Sequence, residues 1–270
     1  MTAVDFEKFV GRLADVSAEA IMPFFRTALA ADDKAHGGAF DPVTEADRAA
    51  ELAMRRLIET TFPGHGVYGE EFGLLREDAE YVWVLDPIDG TKSFICGLPL
   101  WGTLIGLAHR GRPCYGLMSQ PFTRERFFGD GEAAYWRGLA RGPEGERGGL
   151  EKRKLSTRPC PRLEQATLMT TSPLLIDVAL REGFYRVERE TRLSRYGGDC
   201  YAYCALAAGH VDLVIESNLK PYDIVALIPI IEGAGGVITD WSGGNAAMGG
   251  AIVAAGDPAL HEAALKLLAG

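Results

Sequence analysis

The sequence predicts a mixed α/β protein, α+β in its first half and alternating α/β in its second. Three observations carry that prediction. Tyr81-Val82-Trp83-Val84-Leu85 is a run of aromatic and branched residues that reads as a buried strand, and it leads straight into Asp86-Pro87-Ile88-Asp89-Gly90-Thr91-Lys92. Three further strand-like segments follow, at 100–109, 114–119 and 124–128, split by Arg110-Gly111-Arg112-Pro113 and Gln120-Pro121, the pattern of an antiparallel meander. Beyond residue 165, short apolar strands and helical segments alternate.

Taken in order, Phe6, Phe9, Val10, Leu13, Val16, Ala20, Ile21 and Phe24 recur at helical spacing, predicting a helix over residues 4–25 that bends near Pro23. Gly37-Gly38 breaks the pattern. Thr44-Glu45-Ala46-Asp47 opens a second helix, continued by Leu52, Leu57 and Ile58. Gly64-His65-Gly66-Val67-Tyr68-Gly69 has the spacing of a dinucleotide-binding loop, but no helix start follows it, so it reads as an ordinary loop. The central strand should stop at Asp86, because Pro87 cannot donate to a ladder. The glycine-rich, charged stretch at 141–149 reads as a linker or exposed loop. The second half then reads as strand 166–171, helix 174–181, helix 200–208, strand 211–216, helix 224–231, strands 236–240 and 251–254, and helix 258–268. The division is into 1–145, carrying the turn at Asp86–Asp89, and 146–270, carrying the alternating segments, within one compact unit.

Composition narrows the function. The 270 residues carry a formal net charge of -9, which argues against nonspecific binding to nucleic acid or anionic membranes. The longest apolar run, 224–231, is too short to span a bilayer, and the first residues show no apolar segment for secretion. Five cysteines without a C-x-x-C pair suit a reducing cytoplasm, and Cys200 and Cys204 read as small buried residues on one helix face. There is no G-x-S-x-G, no P-loop and no H-E-x-x-H, which leaves elbow-serine hydrolysis, nucleoside-triphosphate binding and zinc hydrolysis unsupported.

Four carboxylates stand at the ends of elements: Glu70, Asp86, Asp89 and Asp223. Gathered in one pocket they cannot all stay ionised without cations, and all-oxygen ligation favours Mg²⁺, then Mn²⁺, over zinc. The backbone N–H groups of Gly90 and Thr91 suit an anion beside such a centre. Taken singly, Asp47 reads as a helix-start carboxylate, Glu70-Glu71 as a solvated pair, and Asp199 and Asp223 as helix caps.

Gly69-Glu70-Glu71, Asp86-Pro87-Ile88-Asp89-Gly90-Thr91 and Pro221-Tyr222-Asp223, with the apolar helix and Gly235-Gly236 after it, resemble the inositol-monophosphatase-like, magnesium-dependent phosphatases. The resemblance runs from Asp41 to Gly236. Lys92-Ser93-Phe94-Ile95, Pro99-Leu100-Trp101-Gly102-Thr103, Arg195-Tyr196-Gly197-Gly198-Asp199-Cys200-Tyr201 and Lys220-Pro221-Tyr222-Asp223 look most like the histidinol-phosphate phosphatase branch. What the resemblance implies is a layered αβαβα sandwich of the inositol monophosphatase and fructose-1,6-bisphosphatase type, a homodimer, and a small phosphorylated alcohol as substrate. It implies one metal on Glu70, Asp86 and the Ile88 carbonyl, and a second on Asp86, Asp89 and Asp223. A third ion near Glu70, helped by Glu45, belongs to the same expectation, as does a water positioned by Thr91 with Asp47 or Glu70. Ile88, Asp89, Gly90, Thr91, Arg195, Asp199, Glu216 and Asp223 are the expected substrate contacts; Arg195 also reads as a structural ion pair.

Overall fold

The computed structural model describes residues 6–27, 31–33, 42–141 and 147–270; the Gly37-Gly38 break and the centre of the 141–149 stretch lie outside the described residues. Helix α1 (Phe6–Ile21) buries Phe9, Val10, Leu13, Ala14 and Ile21 along one stripe. It ends ahead of Pro23 instead of bending through it, since the residue before a proline is driven out of helical conformation. Strands β1 (Ala31–Asp33) and β2 (Pro42–Thr44) pair antiparallel, and α2 (Glu45–Thr61) starts at the next residue.

A first sheet then forms from β3 (Gly66–Gly69), β4 (Gly73–Leu75), β5 (Tyr81–Asp89), β6 (Gly102–His109), β7 (Arg112–Gln120), β8 (Glu125–Gly129), β9 (Ala134–Arg141) and β10 (Arg147–Lys154), with the short helix α3 (Thr91–Ile95) between β5 and β6. Its eight strands lie in the order β10-β9-β8-β7-β6-β5-β3-β4. The meander is antiparallel as expected, and only β3 runs parallel to its neighbour β5.

Three local expectations are corrected here. Gly66–Gly69 is a strand, not a loop: Val67 is buried against α1 and α2, and the glycines let the strand lie close to the Arg76 carbonyl and to the Glu51 side chain. Strand β5 does not stop at Asp86 but reaches Asp89 through a register shift, and Pro87 falls inside that irregularity, where a missing N–H costs no ladder bond. Arg141 ends β9 and residues 147–149 open β10, and these two strands pair antiparallel, so the first sheet continues past residue 146. An exposed edge strand rich in Arg, Lys and Gly carries no apolar alternation, which is why it read as linker.

The second half supplies β11 (Thr167–Thr170), α4 (Arg181–Glu190), β12 (Leu193–Tyr196), α5 (Cys200–Ala207), β13 (Leu213–Leu219), α6 (Pro221–Ile224), α7 (Ile228–Gly233), β14 (Val237–Asp240), β15 (Gly250–Ala255) and α8 (Pro258–Ala269). Its five strands lie in the order β12-β11-β13-β15-β14. The predicted helix 174–181 is absent: Leu174, Leu175 and Val178 are exposed and only Ile176 beside them enters the core, so the run has no helical apolar stripe, and the helix forms later around buried Phe184 and Val187. The predicted helix 224–231 is two short helices, the second opening with Pro229 in its first turn.

The layers follow from strand alternation. Trp83, Leu85, Ile105 and Leu117 face α1 and α2, whereas Val84, Leu104 and Met118 face inward to α5 and α7. From the other side Val214, Ile252 and Ala254 meet those same helices, while Leu213, Ile215 and Val253 are covered by α4 and α8. Helices, sheet, helices, sheet, helices is the expected αβαβα sandwich.

Candidate metal centre and adjoining cavity

Strand β5 delivers the centre of the site. Buried Trp83 and Leu85 hold it under the outer helices, and Asp86 arrives 2% exposed. Its carboxylate accepts the Ile88 N–H at 3.0 Å. The Pro87 carbonyl, displaced from the ladder by the bulge, accepts from Thr103 Oγ1 at 2.8 Å, and Ser17 Oγ lies 3.0 Å from that hydroxyl. The Ile88 side chain is fully buried with Ala46, Ala50, Phe94 and Trp101, which pins the turn against α2. Its carbonyl accepts from Thr91 Oγ1 at 3.2 Å. Gly90 has φ +88°, and a Cβ there would come within 3.0 Å of the Asp199 carboxyl, so glycine answers both the backbone and the close approach.

Two groups of carboxylates gather around this turn. Asp47, Glu70 and Asp86 offer oxygens all within 4.8 Å of one another, and so do Asp86, Asp89 and Asp223. The five carboxylates come from four elements: Asp47 from α2, Glu70 from the turn after β3, Asp86 and Asp89 from β5, and Asp223 from α6. The sequence reading had Glu70 and Asp86 together and Asp89 and Asp223 with Asp86; it set Asp47 beside a water, and the structure brings Asp47 into the first group. Glu45 begins α2 exposed and belongs to neither group among the described residues.

Burial pushes the Asp86 carboxyl well above the usual range, and the charges of Glu70, Asp89, Asp223 and Asp47 push the same way. Burial, then Asp199 and Asp223, do likewise at Asp89. There the Cys200 N–H opposes, donating to Asp89 Oδ2 at 2.6 Å. Asp223 is pushed up to about 6 by burial, against the Lys220 N–H that its carboxylate accepts at 2.6 Å. So much negative charge in two adjoining oxygen sets that share one buried carboxylate fits hard divalent cations. Cys200 and Cys204 are buried in the core between the sheets, as expected of inert thiols.

Beside the centre lies a cavity of about 170 Å³, lined by Asp89, Asp199, Glu216 and Asp223 along with hydroxyls and a few aliphatic side chains. Asp199 precedes α5 but does not cap it; Asp89 takes that role through the Cys200 N–H, and Asp199 Oδ2 accepts from Ser93 Oγ at 2.8 Å. Glu216 accepts from the Thr171 N–H at 2.9 Å, from Thr171 Oγ1 at 2.5 Å and from the Tyr203 hydroxyl at 3.0 Å. Burial raises both carboxyls. Arg195 is placed elsewhere: it lies exposed on edge strand β12, donates to the Tyr196 carbonyl, and does not line the cavity. Ser93, Thr171 and Tyr203 went unread. Tyr203 follows Asp199 by one helical turn, a spacing that could have flagged it; Thr171 and Ser93 left no signal.

An αβαβα sandwich that gathers carboxylates from both halves around a strand-end turn defines a metal-assisted phosphatase. The chain belongs to the inositol monophosphatase family, which it matches over residues 5–269, and it is a phosphatase of that family. It is 47% identical over 267 residues to the bifunctional phosphatase IMPL2, chloroplastic, of Arabidopsis thaliana, covering 95% of this chain and 72% of that one. It is 35% identical over 228 residues to a histidinol-phosphatase of Mycobacterium tuberculosis, 84% of either chain. Among solved structures, an inositol monophosphatase from Zymomonas mobilis aligns with a TM-score of 0.83 at 42% identity, over 99% of this chain and 100% of that one. Among the described residues, no helix is long and apolar enough to cross a membrane.

Proposed function

We propose that this phosphatase is Mg²⁺-dependent and hydrolyses L-histidinol phosphate to L-histidinol and phosphate, as a step of histidine biosynthesis. The observation that carries the reading is the lining of the cavity beside the metal centre: Asp199 and Glu216 are the carboxylates in it that belong to neither metal group, and no Lys, Arg or His lines it among the described residues. Such a lining favours an alcohol bearing an ammonium or imidazolium over a neutral polyol. The likeness to a histidinol-phosphatase supports the same substrate.

Asp47, Glu70 and Asp86, with the Ile88 carbonyl, would hold one cation, and Asp86, Asp89 and Asp223 the other. Mn²⁺ could replace Mg²⁺, and a third ion near Glu70 remains part of the proposal. Bound there, divalent ions supply charge neutralisation at the phosphate, a lowered pKa for water, and stabilisation of the entering and leaving oxygens. The chain's own groups do the rest. Thr91 Oγ1 orients the attacking water, Asp47 or Glu70 receives its proton, which passes on to the leaving alcohol oxygen, and the Gly90 and Thr91 N–H groups bind phosphate oxygens. Asp199 and Glu216 pair with the cationic end of the alcohol, fixing the ester in line for attack. A homodimer and a cytoplasmic location belong to this proposal.

The second reading, myo-inositol 1-phosphate, is favoured by the likeness to a solved inositol monophosphatase. A phosphate-release panel of histidinol phosphate, myo-inositol 1-phosphate and 3′-phosphoadenosine 5′-phosphate, run with Mg²⁺ and with chelator, tests both. Histidinol phosphate should lead in kcat/KM by at least about 100-fold, the size of roughly 2.7 kcal/mol of discrimination. Comparable values throughout would sink the substrate assignment, and undiminished turnover in chelator would sink the metal assignment.

A further inference from the structure

Glu51 belongs to neither carboxylate group described above, yet it is completely buried. It lies one helical turn beyond Asp47 on α2, so the two side chains leave the helix on the same face. Its carboxylate sits beneath the turn that follows β3. Glu51 Oε2 accepts the Glu71 N–H at 2.7 Å, and Oε1 accepts the Phe72 N–H at 3.3 Å. Arg55, one further turn along α2 and also buried, donates from Nε to Glu51 Oε1 at 2.6 Å and from Nη2 to the Gly73 carbonyl. The first residue of this turn is Glu70, whose own N–H bonds the Leu85 carbonyl at 3.2 Å, next to Asp86. A Cβ on Gly69 would land 2.0 Å from Glu51 Oε1, so the strand passes directly over the carboxylate.

We infer that Glu51, held by Arg55, is a positioning residue that ties the turn bearing Glu70 to the helix bearing Asp47 and so sets the spacing of the first carboxylate group. This rests on the metal reading of that group. A buried carboxylate is costly to desolvate, and one fully satisfied by a guanidinium and two peptide N–H groups is rigid. Asp47 rides on α2 itself, and Glu70 rides on the turn that Glu51 grips, so any slack in the grip appears as slack between two of the three ligands. Groups that orient ligands in this way typically contribute about 10- to 100-fold to metal affinity. Substrate contacts at Asp199 and Glu216 lie on other elements and should be untouched.

The test uses Glu51→Gln and Gly69→Ala. The first keeps one acceptor and removes the charge; the second leaves Glu51 intact but drives a methyl into its carboxylate from the opposite side. Gly69→Ala keeps the outcome decisive if Glu51→Gln fails to fold. Both are measured as full chains, by calorimetric titration with Mn²⁺ alone and by amide hydrogen exchange of residues 70–72 in chelator. Expected are Mn²⁺ binding at least about 10-fold weaker than wild type, lost protection at Glu71 and Phe72, and a matching rise in the Mg²⁺ needed for half-maximal activity. KM for the phosphate ester at saturating Mg²⁺ should stay within about twofold. Wild-type Mn²⁺ affinity and wild-type protection in a folded Gly69→Ala would overturn the inference. Failure of the wild-type chain itself to bind Mn²⁺ would instead overturn the metal reading beneath it.

Discussion

The buried carboxylates make an unusual stability prediction for Asp223→Asn. Asparagine keeps an oxygen to accept the Lys220 N–H and removes only the charge. In the folded chain without metal, the Asp223 carboxyl rises from the ordinary 3.8 to about 6. At about 1.4 kcal/mol per pH unit, ionising it in place costs roughly 3 kcal/mol. The sign follows from the direction. A group raised on folding contributes stability that is fully present below 3.8 and lost as pH climbs through about 6, so the cost is complete by about pH 8. In chelator near pH 8, Asp223→Asn should therefore be more stable than wild type, by up to about 3 kcal/mol, in urea unfolding followed by circular dichroism. Near pH 4 the two should agree within about 1 kcal/mol, since the folded wild type is then protonated. Mg²⁺ at about 1,000 times Kd should reverse the order, because only wild type has the full ligand set and the ion then adds about 4.1 kcal/mol, more than the roughly 3 kcal/mol it must offset. A variant less stable than wild type in chelator at pH 8, or a gain independent of pH, would refute the reasoning.

Two further outcomes are expected. Asp89→Asn should lower kcat by more than about 100-fold at unchanged far-UV circular dichroism, because the amide oxygen still caps α5 through the Cys200 N–H while a ligand charge is lost; near-normal turnover would remove Asp89 from the centre. Asp199→Asn should raise KM for histidinol phosphate about 10-fold, the loss of one charge-assisted contact worth about 1.4 kcal/mol, and leave KM for a neutral phosphate ester nearly unchanged. An equal rise for both esters would make Asp199 structural, acting through Ser93.

Some of this protein was legible along the chain because its signals are local. The apolar run ending in Asp86 and Asp89 declares a buried strand and a charged turn within twelve residues, and the breaks at Arg110-Gly111-Arg112-Pro113 and Gln120-Pro121 between strand-like segments declare the meander. The stripe on α1 was readable for the same reason, as a repeat with its own period. Other features misled because local composition and tertiary burial disagree. Val67 is a core residue hidden among glycines, Leu174 and Val178 are apolar but exposed, and β10 is a strand written in basic residues on an open edge.

By itself, then, the chain order determined the class of chemistry: acidic groups at element ends, of a kind and number that demand hard cations. Which carboxylates share an ion was decided only by folding. Asp47 joins Glu70 and Asp86 because α2 packs Ala46 and Ala50 against the Ile88 turn, and Asp223 reaches Asp86 because α6 follows a strand of the other sheet. Glu51 and Arg55 look like any surface pair spaced one turn apart. Their burial under the Glu70 turn exists only once strand β3 has crossed above α2. Pairings across such sequence distances are set by packing, whose free energy resides in no single segment.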